Sequence, residues 1–339
     1  MTQTDDTLPA LGSPVNSVRR GYLDYLPIAL FGSVMGLAGL ATSWQLAERF
    51  FGLPNWISQG IGLFALLVFV VLSFAYLIKA ISNYTVVRAE FRHPIAGNLF
   101  GTPLISLLLL PIIIANYNLL LARTVWVIGA VGMVWFAWFS VMRWLSQRQQ
   151  TAHATPAWMV PVVGLLDLPL AMPALQWQSS YPQVMMFALS IGLFFALPLF
   201  TLITARLLFD TPLPVALQPS LLILLAPFSV GFSSYVTTFG QVDTFADALY
   251  MLTLFMLCVL IGRIQNLPRT CPFRLSWWSV GFPLASSVGC ALRYAAHHPS
   301  PLSQGIALLL LAGVSLLLLW MVVRTLHGIV RGRLRTLAS

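Results

Sequence analysis

Residues 276–287 read SWWSVGFPLASS. They lie inside an apolar segment that otherwise reads as a membrane helix, and at their centre Phe282 is followed by Pro283. A proline there removes a backbone donor and clashes with the preceding turn, so the sequence predicts a kink at mid-depth, marked by an aromatic ring. The architecture turns on how the rest of the chain accommodates such a break.

The 339 residues are 58% hydrophobic and only 8% charged. Soluble domains carry about a quarter charged residues, so this composition predicts an integral membrane protein. Ten apolar runs reach the roughly 20 residues that a spanning helix needs. They fall at about 24–48, 56–82, 98–116, 121–147, 157–175, 182–209, 213–237, 242–265, 274–297 and 302–329. Helices are required because an open strand edge is too costly in hydrocarbon. Residues 1–23 are polar and read as a cytoplasmic tail, 24–329 as the membrane domain and 330–339 as a second cytoplasmic tail.

With the N-terminus inside, ten spans place fifteen of the 18 Lys and Arg residues on the cytoplasmic side and leave Arg49, Arg123 and Arg293 outside. That asymmetry is the positive-inside pattern. It accounts for the net charge of +9 without a nucleic-acid partner. Lys79, Arg88, Arg92, Arg206 and Arg263 flank the cytoplasmic ends, as topology anchors or as a vestibule that concentrates anions. Three cysteines (Cys258, Cys271, Cys290) form neither a disulfide framework nor a metal motif, and the scattered histidines suggest no metal site. No cofactor is implied, and no nucleophile–base pair or metal cluster at one depth suggests an enzyme.

The spans alternate in kind. Even-numbered ones read as plain apolar rods, such as GIALLLLAGVSLLLLWMVV at 305–323, with Pro198 the single internal proline. Odd-numbered ones carry the breaks: Gly36 in the first, then Pro111, Pro169, Pro227 and Pro283. The steps between those prolines are 58, 58 and 56 residues, the period of one helical hairpin, which suggests five copies of one unit. Breaks are tolerated in a membrane where protein or water satisfies the freed backbone. The expectation is therefore five interior helices in a ring around a central channel, with five straight helices outside against lipid. The plainer reading is that the prolines only shape packing.

Four stretches carry a resemblance: GSVMGLAGLATSW (32–44), FRHPIAGNLF (91–100), LQPSLLILLAPFSVGFSSY (217–235) and WWSVGFPLASS (277–287). Over about 24–329 the chain resembles the slow-type anion channel and tellurite-resistance TehA family, which also contains fungal malate permeases. The resemblance implies ten helices as five hairpins in quasi-fivefold order, an anion pore lined by the inner helices, and a homotrimer of separate pores. It also implies that the phenylalanine beside the ninth-helix proline, here Phe282, plugs the pore. Plant members are switched by kinases through long soluble tails, and tails of about 23 and 10 residues leave that control doubtful.

Ser279, Phe282, Ser286 and Cys290 follow at steps of three, four and four, so one helical face is predicted to present them together. The serines, with Ser229, either line the lumen or hydrogen-bond between helices. Asp167 is the one acid well inside a span. It is costly in hydrocarbon, and reads as a proton site in a coupled carrier or as a hydrogen-bonded structural acid. With no base predicted at mid-depth, the leading expectation is a passive, weakly selective channel for small anions in a bacterial inner membrane. The alternative is a proton-coupled carrier of C4-dicarboxylates, tellurite or sulfite.

Overall fold

The computed structural model describes residues 23–265 and 272–338, and among these every regular element is helical. Chain positions 1–22, 266–271 and 339, and with them Cys271 and the N-terminal tail, lie outside the described residues. We number the helices α1 (Ile28–Phe51), α2 (Asn55–Ser82), α3 (Tyr84–Arg92), α4 (Ala96–Ile114), α5 (Leu119–Ser146), α6 (Pro156–Ala171), α7 (Pro182–Phe209), α8 (Val215–Phe239), α9 (Thr244–Ile264), α10 (275–297), α11 (Pro301–Val330) and α12 (Leu334–Ala338).

Eight of these are long and apolar enough to cross a membrane: α1, α2, α4, α5, α7, α8, α9 and α11. The apolar runs of the sequence predict ten. The two predicted spans outside the eight are α6, a broken helix shorter than a bilayer-spanning rod, and α10, which carries four serines and Arg293.

The two kinds of helix differ in backbone. α1, α4, α6, α8 and α10 each open with 3₁₀ turns and then pass into α-helix: Ile28–Phe31, Ala96–Phe100, Pro156–Met159, Val215–Leu225 and Leu275–Val280 are 3₁₀. α2, α5, α7, α9 and α11 are uninterrupted α-helix, and Pro198 is absorbed inside α7. Proline chemistry explains part of the difference. Pro227 has no N–H for the Ile223 carbonyl, which accepts from Ala226 instead, three residues on. Pro169 leaves the Leu165 carbonyl in the same position, and it accepts from Leu168 at 3.0 Å. Pro227 and Pro283 thus mark a switch from 3₁₀ to α-helix, whereas Pro111 restarts an α-helix and Pro169 a 3₁₀ stretch. The proline sits in the first turn of the new stretch, where a missing N–H is tolerated.

Burial follows the same division. The windows that could span are 78, 72 and 67% buried in α1, α4 and α8, against 11 to 39% in α2, α5, α7, α9 and α11. The outer helices turn Leu67, Val71, Phe74, Val131, Trp138, Leu197, Phe255 and Leu316 outward. An aqueous surface of that kind would aggregate, so this belt faces hydrocarbon. Inside, α1 packs on α4 and α10, α4 on α6, α6 on α8, and α8 on α10, which closes a circuit of five neighbours. Gly36 lies within the continuous α-helical part of α1, and a Cβ there would stand 3.1 Å from Gly281 Cα. Its service is to let the α1 and α10 backbones touch.

The broken α6 keeps its backbone satisfied through its neighbours. Trp126 Nε1 donates to the Leu168 carbonyl at 3.2 Å, and the Arg123 guanidinium donates to the Leu175 carbonyl at 3.0 and 3.2 Å. At the opposite end Lys79 Nζ donates to the Leu26 carbonyl and to Glu90 Oε2, each at 2.7 Å. Glu90 also accepts from the Ile28 N–H at 2.7 Å and from the Tyr76 hydroxyl at 3.0 Å. Lys79, only 2% exposed, therefore clasps the entry of α1 to α2 and α3. α9 begins at an Asp243 N-cap, whose carboxylate accepts from the Phe245 and Ala246 N–H groups. The Tyr235 hydroxyl and those amides hold the Asp243 carboxyl below the usual carboxylate range.

Candidate functional site: two cavities and the ring between them

Two cavities lie within the circuit of inner helices. The larger, about 120 Å³, is lined by all five, including Ala29, Gly32, Thr102, Asp167, Ser220 and Ser279. The smaller, about 40 Å³, is again lined by all five, through Thr42, Ile112, Leu170, Ser233, Ser286 and Arg293 among others. Two residues belong to both linings: Phe282 and Val230. Phe282 is 6% exposed and stands against α1 at Gly39, where an added Cβ would meet its ring at 3.3 Å. A larger residue at Gly39 would push against that ring.

The larger cavity lies toward the end that carries Leu26, Lys79 and Glu90, and the smaller toward Arg49 and the C-terminal turns of α10. Two cations at the first end are held by contacts: Arg143 donates to the Arg92 carbonyl at 3.0 Å, and the Arg335 guanidinium lies over the Tyr25 ring.

The sequence-predicted face of α10 needs one correction. Ser279 lines the larger cavity, Phe282 both and Ser286 the smaller, but Cys290 lines neither. It is fully buried beside Thr253 of α9. Four-residue steps drift round a helix of 3.6 residues per turn, and the face that stays on the cavities runs 279, 282, 286, 289, 293. Alternating steps of three and four continue that face to Arg293. No base is predicted at mid-depth, yet Arg293, about one turn from the end of α10, reaches the lining of the smaller cavity.

Ser229 and Ser286 meet directly, Oγ to Oγ at 2.7 Å, so α8 and α10 are hydrogen-bonded just beyond the ring. One of the two protons makes that bond and the other serves a carbonyl on its own helix, as do the protons of Ser43, Ser233 and Ser279. Ser229, expected as a lining residue, borders neither cavity and is fully buried between the helices, whereas Ser43, Ser233, Ser279 and Ser286 face the cavities chiefly as dipoles and acceptors, and less as free donors. Three polar groups of the larger cavity stand apart. Asp167 Oδ1, Thr155 Oγ1 and Ser276 Oγ are buried without a hydrogen-bond partner among the described residues. Asp167, 1% exposed, belongs to the wall of the cavity. The marker prolines lie off the axis except Pro283, which lines the larger cavity. No group of three or more His, Cys, Asp or Glu suited to a metal occurs among the described residues.

The sequence model of voltage-dependent anion channels matches residues 25–326, which takes in every helix of the circuit and both cavity linings. The chain belongs to the voltage-dependent anion channel family. Among relatives of this family member, the S-type anion channel SLAH3 of Arabidopsis thaliana is 28% identical over 92% of the chain and 49% of its own length. The guard cell S-type anion channel SLAC1 of the same plant is 27% identical over 85% of the chain and 53% of its own length. The tellurite resistance protein TehA homolog of Haemophilus influenzae is 25% identical over 91% of the chain and 92% of its own length. The chain thus spans about half the length of these plant channels and nearly all of the Haemophilus protein. It is a multi-pass membrane protein of an anion channel and transporter family.

Proposed function

We propose that the chain is a passive channel for small anions, closed at rest by Phe282. The observation that carries the reading is that Phe282, with Val230, is common to the linings of two cavities placed in succession along the axis of the inner helices. An apolar ring in a narrow lumen blocks ions sterically and by excluding water. In this reading all ten predicted spans cross the membrane, α6 and α10 included, as five hairpins in a quasi-fivefold ring. The short α6 and polar α10 are admissible because protein surrounds them. Both termini face the cytoplasm of a bacterial inner membrane, since the end with Lys79, Arg92, Arg143 and Arg335 is the positive one. The names of the relatives support anions as the permeant class, and the family resemblance supports a homotrimer with one pore per subunit.

The test is current through purified Phe282→Ala protein in a planar bilayer, with an anion gradient and a pH gradient applied separately. A channel gives a reversal potential that follows the anion gradient alone. The second reading, a proton-coupled carrier of C4-dicarboxylates, tellurite or sulfite, is favoured by one observation, the unpartnered Asp167 carboxyl oxygen on the larger cavity. It requires saturable flux that moves protons.

A further inference from the structure

We infer that the smaller cavity is an anion-binding subsite in which Arg293 is the binding group, sized for one small inorganic anion such as a halide or nitrate. The subsite rests on the channel reading and gives that channel its outer selectivity residue. Besides Arg293 the cavity presents Thr42, Ser43, Ser233 and Ser286. Each of those hydroxyls already donates to a carbonyl: Ala38, Gly39 or Ala285, Ser229 and Pro283. A hydroxyl has one proton, so these four offer an incoming ligand mainly lone pairs, which repel an anion.

Arg293 is the exception. Its carbonyl pairs with the His297 ring, but its guanidinium makes no hydrogen bond among the described residues. The ion pairs found there join Lys79 to Glu90 and His298 to Asp247, and neither involves Arg293. The titratable side chains that act on it are Cys290, on the same helix, and another cation, Arg49. Five N–H donors on a positive charge, without a carboxylate, border a water-sized space on the ion path. Charge-assisted donors of this kind prefer an anion over water.

Size sets the class of ligand. A water needs about 10–15 Å³ of such volume, so about 40 Å³ admits two to four water-sized groups. Chloride, bromide or nitrate fits; a four-carbon dicarboxylate does not.

Bromide provides a readout that does not depend on conduction. Crystals of the full chain soaked in bromide are expected to show an anomalous peak beside the Arg293 guanidinium. The peak should persist in Arg293→Lys and vanish in Arg293→Gln. No peak in the parent, or an equal peak in Arg293→Gln, overturns the subsite. Conductance then gives its function. In a Phe282→Ala background, Arg293→Gln should raise the chloride concentration for half-maximal current about tenfold, the equivalent of one lost charge-assisted hydrogen bond. Added succinate should leave that current unchanged. A Phe282→Ala channel whose chloride dependence ignores Arg293→Gln, or which succinate blocks competitively, overturns the inference while the channel reading stands. A silent Phe282→Ala variant that still binds bromide overturns the channel reading and leaves the subsite established.

Discussion

Ser229 and Ser286 stand 2.7 Å apart, oxygen to oxygen, two residues past Pro227 and three past Pro283. The contact bridges two inner helices immediately beside the ring of Phe282, on the side of the smaller cavity. Each hydroxyl also has a carbonyl partner on its own helix, so neither depends wholly on the other. Ser286→Ala is expected to cost about 0.5–1.5 kcal/mol in stability, one ordinary hydrogen bond. In a Phe282→Ala background, anion current should change less than twofold, because the hydroxyl proton is committed to protein. A collapse of current in a folded Ser286→Ala protein would make that serine an ion ligand and refute this assignment.

Lys79 and Glu90 form the buried ion pair, among the described residues, whose loss should destabilise the molecule most. Glu90→Gln leaves the ammonium buried at 2% exposure with one carbonyl, and also weakens the contacts of Tyr76 and Ile28. Removing one partner of a buried pair typically costs about 3–5 kcal/mol. Arg88, exposed on α3, supplies the surface control. The midpoint of thermal unfolding in detergent should fall well below that of Arg88→Gln. Equal midpoints for the two variants would show that the clasp contributes little.

Much of this architecture is legible in the sequence, and the misses have physical causes. The alternation of broken and plain segments appears in Pro111, Pro169, Pro227 and Pro283 because a missing N–H acts locally. The form of the break does not. Whether a helix bends or tightens into 3₁₀ turns depends on which donor reaches the freed carbonyl, as the Leu168 N–H reaches Leu165 and the Ala226 N–H reaches Ile223. α6 and α10 read as spans by the same measure as the others, yet they fall outside the eight long apolar helices. Both are enclosed by neighbouring helices, a setting that a hydropathy reading of the sequence does not register. Sorting cations by loop makes Arg293 an outer anchor, whereas helical phase is the better guide to the cavity it lines. The Lys79–Glu90 clasp joins residues whose partners on or before α1 lie more than fifty positions away, beyond any local pattern.

Topology is open to labelling. Cysteines introduced in the loop at 149–155 should react with an impermeant maleimide only from the cytoplasmic side, and those at 238–241 only from outside. Three segments, α6, α7 and α8, separate these positions. If α6 does not cross, both fall on one side, and that result would remove the ten-crossing arrangement.

Asp167→Asn separates the two transport readings. The substitution keeps the shape and removes the acid that borders the larger cavity. Placed in a Phe282→Ala background, the variant of a passive channel should retain the current of that background, with a reversal potential still indifferent to a pH gradient. Conduction should rise modestly, because an amide offers donors where a carboxylate offers only acceptors. If the parent instead moves protons with its substrate and Asp167→Asn uncouples them, the carrier reading takes its place.

Phe282 as the barrier is tested most directly by the anion current of Phe282→Ala in a planar bilayer, with the protein inserted at the level of the parent. Loss of a ring packed among helices typically costs about 3–5 kcal/mol in soluble cores, and a ring that borders two cavities should cost less. Phe282→Ala is therefore expected to fold and to show many-fold higher anion conductance, with an intermediate value for Phe282→Leu, which fills part of the same volume. A folded, inserted Phe282→Ala protein whose current stays at the parent's near-zero level would contradict this assignment.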